Sequence, residues 1–160
     1  SITKFQGFTL IERLIVIAII GILSTTAYPS YIHYIERGYQ SQAHAELVII
    51  NNSLKTKLVK NPALKMKDEI EGDAGFFKKY QATSEVAAKY DFSGAMKDKD
   101  SKRSRAYYLF ATPKSGTNYK LSVWMDSLGN AYKCTDAESA KAKLTTKNGN
   151  TGCEPVSNKK

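Results

Sequence analysis

The chain has 160 residues, enough for one compact domain and a membrane helix. Its 24 lysines and arginines outnumber 15 acidic residues, and the formal charge of +9 favours either anionic partners or a well-solvated surface. His33 and His44 lie at no catalytic spacing from Cys, Asp or Ser, and we find no phosphate-binding glycine loop and no zinc-ligand pattern. The sequence therefore predicts no enzyme, no metal site and no cofactor.

A short basic leader precedes a long apolar run. Residues 1–7 end in Gly7, so the bond between Gly7 and Phe8 looks like a processing site. Cleavage there would create a cationic amine on Phe8, four residues from Glu12. A helix over residues 8–28 would be about 32 Å long, close to the hydrocarbon thickness of a bilayer. A removable secretory signal is the alternative, but the run continues into an amphipathic pattern without a small-residue cleavage site.

Four residues interrupt the uniformity of this run. A carboxylate is costly in hydrocarbon, so Glu12 is a candidate functional group whose partner must be found. Arg13 is either an interfacial charge that snorkels to the membrane surface or a second polar contact with a neighbouring chain. Gly21 and Pro29 both weaken a helix, the first by entropy and the second by removing a backbone donor.

An amphipathic helix is predicted to follow without a break. Apolar residues recur at steps of three and four along one face, while polar residues occupy much of the remainder. The apolar face comprises Ile35, Tyr39, Ala43, Leu47, Ile50, Leu54 and Leu58. Asn61 and Pro62 end the pattern, since a residue before proline avoids the α conformation. A coiled coil is the alternative, but the charges lack heptad order.

Residues 62–104 are mixed and charged. We predict a loop over residues 65–73 and a short helix over 84–90, capped by Ser84. Residues 97–105 are rich in lysine and arginine, as is the segment 55–67. These basic segments either contact phosphate groups or form a solvated surface.

The next segments favour antiparallel strands. Residues 106–112 and 118–125 are rich in aromatic and β-branched side chains and are separated by turn residues, which predicts a hairpin. A second turn at 127–130 leads to a third strand at 131–134. Alternate side chains would form the apolar face: Tyr107, Leu109, Tyr119, Leu121, Val123 and Met125. Trp124 has the opposite parity, so it is either exposed or covered by the C-terminal region.

The C-terminal region contains both cysteines, Cys134 and Cys153. In an exported domain they would form one disulfide, stabilising the fold by roughly 3 kcal/mol in the chain-entropy model. Between them, residues 136–144 predict a short helix with acids early and lysines late. The polar turn that follows is a candidate contact loop, because recognition is often carried by loops on a rigid scaffold. Its residues are Thr145, Thr146, Lys147, Asn148, Gly149 and Asn150.

The start of the chain resembles the processing motif of class IVa type IV pilins, in which Gly7, Phe8 and Glu12 have this spacing and an apolar span follows. Residues 36–42, 119–126, 132–137 and 152–154 resemble the minor pilins of that family. The resemblance implies cleavage by a prepilin peptidase after Gly7, N-methylation of Phe8 and pairing of its amine with Glu12 in the filament. It also implies that the helix between Gly21 and Pro29 melts on assembly.

The resemblance implies an α+β type IV pilin fold, in which a long N-terminal helical spine packs on an antiparallel β-sheet. The corresponding regions are a leader at 1–7, a transmembrane and filament-core helix at 8–29, an amphipathic half at 30–61, and a head at 62–160 with a disulfide region at 134–153. Implied partners are major and other minor pilins, the prepilin peptidase, the pilus assembly machinery of the inner membrane, and pilins of neighbouring cells.

The implied function is that of a minor pilin that promotes aggregation and adhesion, first in the cytoplasmic membrane and then in the extracellular filament. Two alternatives stay open. The positive charge favours a minor pilin that binds DNA during uptake, and a type II secretion pseudopilin shares the processing motif. The second alternative more often has a calcium site, and no acidic loop of that pattern occurs here.

Overall fold

The structure is a computed structural model that describes residues 10–98, 103–142 and 152–156, with the backbone alone described at 26–28. Gly7, Phe8 and the predicted contact loop 145–150 lie outside the described residues. The chain divides into two compact units, Ser1–Glu36 and Arg37–Lys160. Each unit is described by itself below.

A single helix, α1, extends over Leu10–Lys60 and confirms the predicted long helix. It contains Pro29, and it ends one residue before the Asn61-Pro62 pair, as expected from the restriction that proline places on its predecessor. The Asn61 amide closes the last turn by donating to the Lys57 carbonyl at 2.9 Å.

The apolar face of α1 packs on the sheet in the second unit. Ala43, Leu47, Ile50 and Leu54 are fully buried, which confirms the predicted face. The polar remainder of the helix is less exposed than the pattern predicts. Four of its side chains are buried: Glu36, Gln40, Glu46 and Asn51.

Three short helices follow α1: α2 (Met66–Glu71), α3 (Phe76–Lys79) and α4 (Ser84–Ala87). The prediction of a loop over 65–73 is wrong, because Met66 and Ile70 are both buried in the core and hold a helical turn against it. The predicted helix at Ser84 is confirmed, but it ends at Ala87. Its N-cap is Thr83, and no side chain caps it.

Five strands form one antiparallel sheet in sequence order: β1 (Tyr90–Met96), β2 (Tyr107–Pro113), β3 (Ser122–Asp126), β4 (Ala131–Cys134) and β5 (Cys153–Pro155). The predicted hairpin is confirmed as β2 and β3, with Leu109 opposite Met125. The predicted third strand is β4. β1 and β5 are not among the strands predicted from the sequence. β3 begins at Ser122, so Tyr119 and Leu121 precede the strand.

The sheet has a core on each face. One face packs on α1, and its fully buried side chains include Tyr107, Leu109, Val123 and Met125. The other face has a smaller cluster of Phe110, Trp124, Cys134 and Ala140. Ala140 belongs to α5 (Ala137–Ala142), which lies within the segment that the disulfide closes. Trp124 is therefore covered by the C-terminal region, which decides between the two predicted alternatives.

Candidate assembly segment and contact surface

The first unit presents an apolar helical surface. Every large apolar side chain between Leu10 and Leu23 has at least half of its surface exposed. This part of α1 is long and apolar enough to cross a membrane. A helix that is apolar all round is stable only when lipid or other protein surrounds it. The unit thus has the surface of a segment that inserts into a bilayer or a bundle of helices.

Two charged residues lie in the first turns of this segment. Glu12 and Arg13 are both exposed, and neither forms an ion pair with another residue in the described part of the chain. Adjacent helix positions do not face each other, so Arg13 is badly placed to neutralise Glu12 within the same helix. The described part of the helix therefore supplies no neutralising partner for the Glu12 carboxylate.

Gly21 and Pro29 lie in the interior of α1, and both are exposed. A Cβ atom added to Gly21 would meet nothing within 4 Å, so packing does not explain a glycine there. Pro29 lacks the amide that would donate to the preceding turn. Both residues weaken the helix intrinsically.

The disulfide joins Cys134 in β4 to Cys153 in β5, as the sequence predicts. The two residues are paired in the register of these strands. The Thr135 amide adds a hydrogen bond of 2.8 Å to the Gly152 carbonyl beside the disulfide. These contacts fix both ends of the segment that contains α5 and the predicted contact loop.

α5 is held at its start by Asp136. The Ser139 amide donates to the Asp136 carboxylate at 2.7 Å, and this hydrogen bond is the main cause that lowers the pKa of that carboxyl. The strands that precede α5 are tied to α1, because the Gln40 side-chain amide donates to the carbonyls of Ser122 in β3 at 2.9 Å and Cys134 in β4 at 3.2 Å. Sequence reasoning missed Gln40, because its partners lie more than 80 residues further along the chain.

The structure brings together the two basic segments that the sequence analysis singled out. The Arg105 guanidinium donates to the Pro62 carbonyl at 3.0 Å. Arg105 also lines a recess with Lys55 and Leu128, between the end of α1 and the turn that joins β3 to β4. Arg103 and Arg105 of the second basic segment therefore share one surface with Lys55 and residues 62–66 of the first.

The remaining candidates from the sequence take structural roles. The described residues contain no group of three His, Cys, Asp or Glu side chains that could hold a metal ion. Burial, and then the charge of Lys133, lowers the pKa of His44, which favours its neutral form. The sequence Asn51-Asn52-Ser53 also has the spacing of a glycan acceptor, but Asn51 is buried and accepts a hydrogen bond from the Tyr107 hydroxyl, so a glycan could not reach it.

Comparisons with known proteins agree with this geometry. A crystal structure of the minor type IV pilin PilX of Neisseria meningitidis superposes with a TM-score of 0.60 and 43% sequence identity, covering 76% of this chain and 99% of that one. The type IV major fimbrial protein FimA of Dichelobacter nodosus is 52% identical over 56 residues, which are 35% of this chain and 32% of that protein. A second FimA protein from the same organism is 44% identical over 54 residues. The chain thus spans about a third of the length of these curated relatives.

Two family models match the sequence itself. The prokaryotic N-terminal methylation motif matches residues 2–28, which include Gly7, Phe8 and Glu12. The minor type IV pilin family PilX matches residues 33–160. These are structural, non-enzymatic proteins. Because the second model takes in most of the chain, this protein belongs to the PilX family of minor type IV pilins and not to the secretion pseudopilins.

Proposed function

We propose that the protein is made as a precursor that is anchored in the cytoplasmic membrane and then assembled into an extracellular type IV pilus. The prepilin peptidase cuts between Gly7 and Phe8, and the assembly machinery adds the subunit to the major and other minor pilins. The observation that carries this proposal is the exposed apolar surface of α1 from Leu10 to Leu23, which needs lipid or neighbouring helices around it.

Electrostatic pairing docks the subunit in the filament. Cleavage leaves an ammonium group on Phe8, and Glu12 of an adjacent subunit supplies the carboxylate. A charged pair of this kind is strongest where water is excluded and the dielectric is low. Glu12 has no ion-pair partner among the described residues, which supports a partner on another chain.

Replacement of Glu12 by Gln tests this pairing. Gln keeps the shape of the side chain but removes its charge, so we expect much less of the variant in filaments sheared from the cells, at unchanged membrane level. The matched control is Glu85→Gln, an exposed change in α4 that removes the same charge from the second unit. Incorporation of the Glu12→Gln variant at the wild-type level would show that the electrostatic docking is wrong.

A second part of the proposal concerns the helix between Gly21 and Pro29. We infer that it melts to extended chain when the subunit enters the filament, since Gly21 and Pro29 weaken it and a Cβ atom added to Gly21 would contact nothing within 4 Å. A filament map at residue resolution tests this. Continuous helical density from residue 10 through Pro29 in an incorporated subunit rejects the melting.

The second unit supplies the contacts between filaments. The disulfide region, residues 134–153, is fixed at both ends and includes the polar turn 145–150. We infer that this region mediates contacts with pilins of neighbouring cells and so promotes aggregation and adhesion. The support is the attachment of its ends to the sheet, because binding residues are often carried by loops that a rigid scaffold positions.

A further inference from the structure

A recess on the second unit combines an apolar floor with a cationic rim. Its volume is about 320 Å³, and it lies where the last turns of α1, the start of α2, the start of β2 and the β3–β4 turn meet. Aliphatic side chains line the floor, and the two rim cations come from different elements. The residues that matter are Leu58, Met66 and Ala106 on the floor, with Leu128, Lys55 and Arg105 at the exposed edge.

The rim cations are not neutralised by carboxylates of the described chain. Lys57, two positions further along the helix, pairs with Glu69, but Lys55 and Arg105 form no ion pair among the described residues. The hydrogen bond from Arg105 to the Pro62 carbonyl holds the guanidinium beside the recess. Two such cations beside one recess are complementary to carboxylates.

The apolar lining of the recess indicates which kind of anionic partner it suits. Leu128 is 82% exposed at the tip of a turn, where a large apolar side chain is costly to leave in water. Nucleic acid would use exposed aromatic rings for stacking. The aromatic ring of this recess belongs to Tyr107, which is only 2% exposed and whose hydroxyl is bonded to Asn51. An aliphatic floor suits an aliphatic side chain better than a nucleotide.

We propose that this recess binds an acidic peptide segment of another protein. An aliphatic side chain of the segment enters between Leu58, Met66 and Leu128, and flanking carboxylates pair with Lys55 and Arg105. The binding uses the second unit alone, and it does not depend on assembly of the chain into a filament.

Methionine methyl resonances provide the test. The chain has three methionines, of which Met66 lies in the recess while Met96 and Met125 are buried elsewhere in the core. The full chain, labelled with ¹³C at the methionine methyls and held in phosphatidylcholine nanodiscs, is titrated with a hexapeptide of alternating glutamate and leucine. We expect a saturable shift of the Met66 resonance with Met125 unmoved.

Matched probes and variants separate charge from apolar contact. A peptide of alternating glutamate and serine has the same charge and should bind at least about tenfold more weakly, as should the Lys55→Glu variant with the leucine peptide. Leu128→Ser should also weaken binding. Because the Leu128 side chain is exposed, this substitution should leave the structure of the protein unchanged. The control variant is Lys79→Glu, which makes the same charge change on α3 outside the recess and should bind like the wild type.

The opposite results overturn the proposal. It is wrong if the Met66 resonance does not move with the leucine peptide, or if the serine peptide is equally effective. It is also wrong if an oligothymidylate of equal charge shifts the resonance more strongly and Leu128→Ser leaves that effect intact. The last pattern identifies a nucleic-acid surface instead.

Discussion

Buried polar side chains on α1 are matched to hydrogen-bond donors from distant segments. The Glu46 carboxylate, 5% exposed, accepts hydrogen bonds from the Tyr80 hydroxyl and, at 3.2 Å, from the Thr83 hydroxyl. Asn51 accepts one from the Tyr107 hydroxyl in the same way. A buried carboxylate without such donors destabilises a fold strongly. These contacts therefore help to fix which segments pack against α1 at Glu46 and Asn51.

Tyr80 should make stability depend on pH in alkaline solution. The pKa of Tyr80 is raised by burial, by the hydrogen bond to Glu46 and by the charge of Glu46. The pKa of Tyr107 is raised to about 12 by burial and by the charge of Asp126. The folded state therefore holds these protons more tightly than the unfolded state, whose tyrosines ionise near pH 10. Stability from both groups is complete below about pH 10 and is lost as the pH rises above it.

We therefore expect Tyr80→Phe to lower the free energy of unfolding by about 1.5–3 kcal/mol at pH 8, since a hydrogen bond to a charged group is lost. The variant should also lose less stability than the wild type between pH 9 and 11. Urea unfolding in zwitterionic detergent, followed by the fluorescence of the single tryptophan, measures both quantities. Tyr34→Phe is the control, because Tyr34 is exposed. Equal pH slopes for the wild type and Tyr80→Phe would contradict the assignment.

At the scale of the element, β1 needs a glycine because α2 and α3 approach it closely. A Cβ atom on Gly94 would lie 2.9 Å from Phe77 Cε2, 3.1 Å from the Tyr108 carbonyl oxygen and 3.2 Å from Ile70 Cγ2. One of these contacts is with backbone of the neighbouring strand, which has little freedom to move. A side chain at this position would push the helices away from the strand.

A pair of glycine substitutions tests this packing. Gly94→Ala should lower the free energy of unfolding by about 1–3 kcal/mol through overpacking. Gly38→Ala in α1 should raise it by about 0.5–1 kcal/mol, because nothing lies within 4 Å of its added Cβ and alanine favours the helix. The same urea titration compares the two. A neutral or stabilising Gly94→Ala would show that the short helices do not press on β1.

β1 is an element that the sequence alone does not predict. Its residues include Asp91, Ser93 and Gly94, which have low strand propensity, and the strand forms because Tyr90 and Met96 are buried against the helices. The sequence likewise predicts a loop where the structure has helix α2. Only tertiary contacts reveal that Met66 and Ile70 face the core. The hairpin of β2 and β3 was predictable because its alternation and turn residues are local.

Local patterns also explain which parts of the site were predictable. Neighbouring residues are enough to reveal the periodicity of α1 and the apolar run around Glu12, and a count of cysteines is enough to suggest the disulfide. The recess between Lys55, Arg105 and Leu128 is not, because its residues come together only when the sheet is formed. The sequence analysis found the two basic segments but not the apolar floor between them.

At the scale of the whole molecule, the two compact units have different surfaces. The first exposes an apolar helix with Glu12 near its start, whereas the second has its own two-sided core closed by a disulfide. Because the second unit's core does not include the residues before Glu36, changes on its loops should leave the apolar segment unaffected. Assembly and intercellular contact should therefore be separable by mutation.

An exchange of residues 145–150 for a Gly-Ser segment of equal length tests that separation. The exchange stops short of Gly152, because a Cβ atom there would clash with the Ser139 side chain and would disturb α5. We expect the variant to enter filaments at the wild-type level, while cell aggregation falls to that of a strain lacking the subunit. Replacement of the exposed Asp73 and Ala74 by Gly-Ser is the control and should change neither quantity. Undiminished aggregation, with the variant present in sheared filaments, would place the intercellular contact on another surface of the second unit.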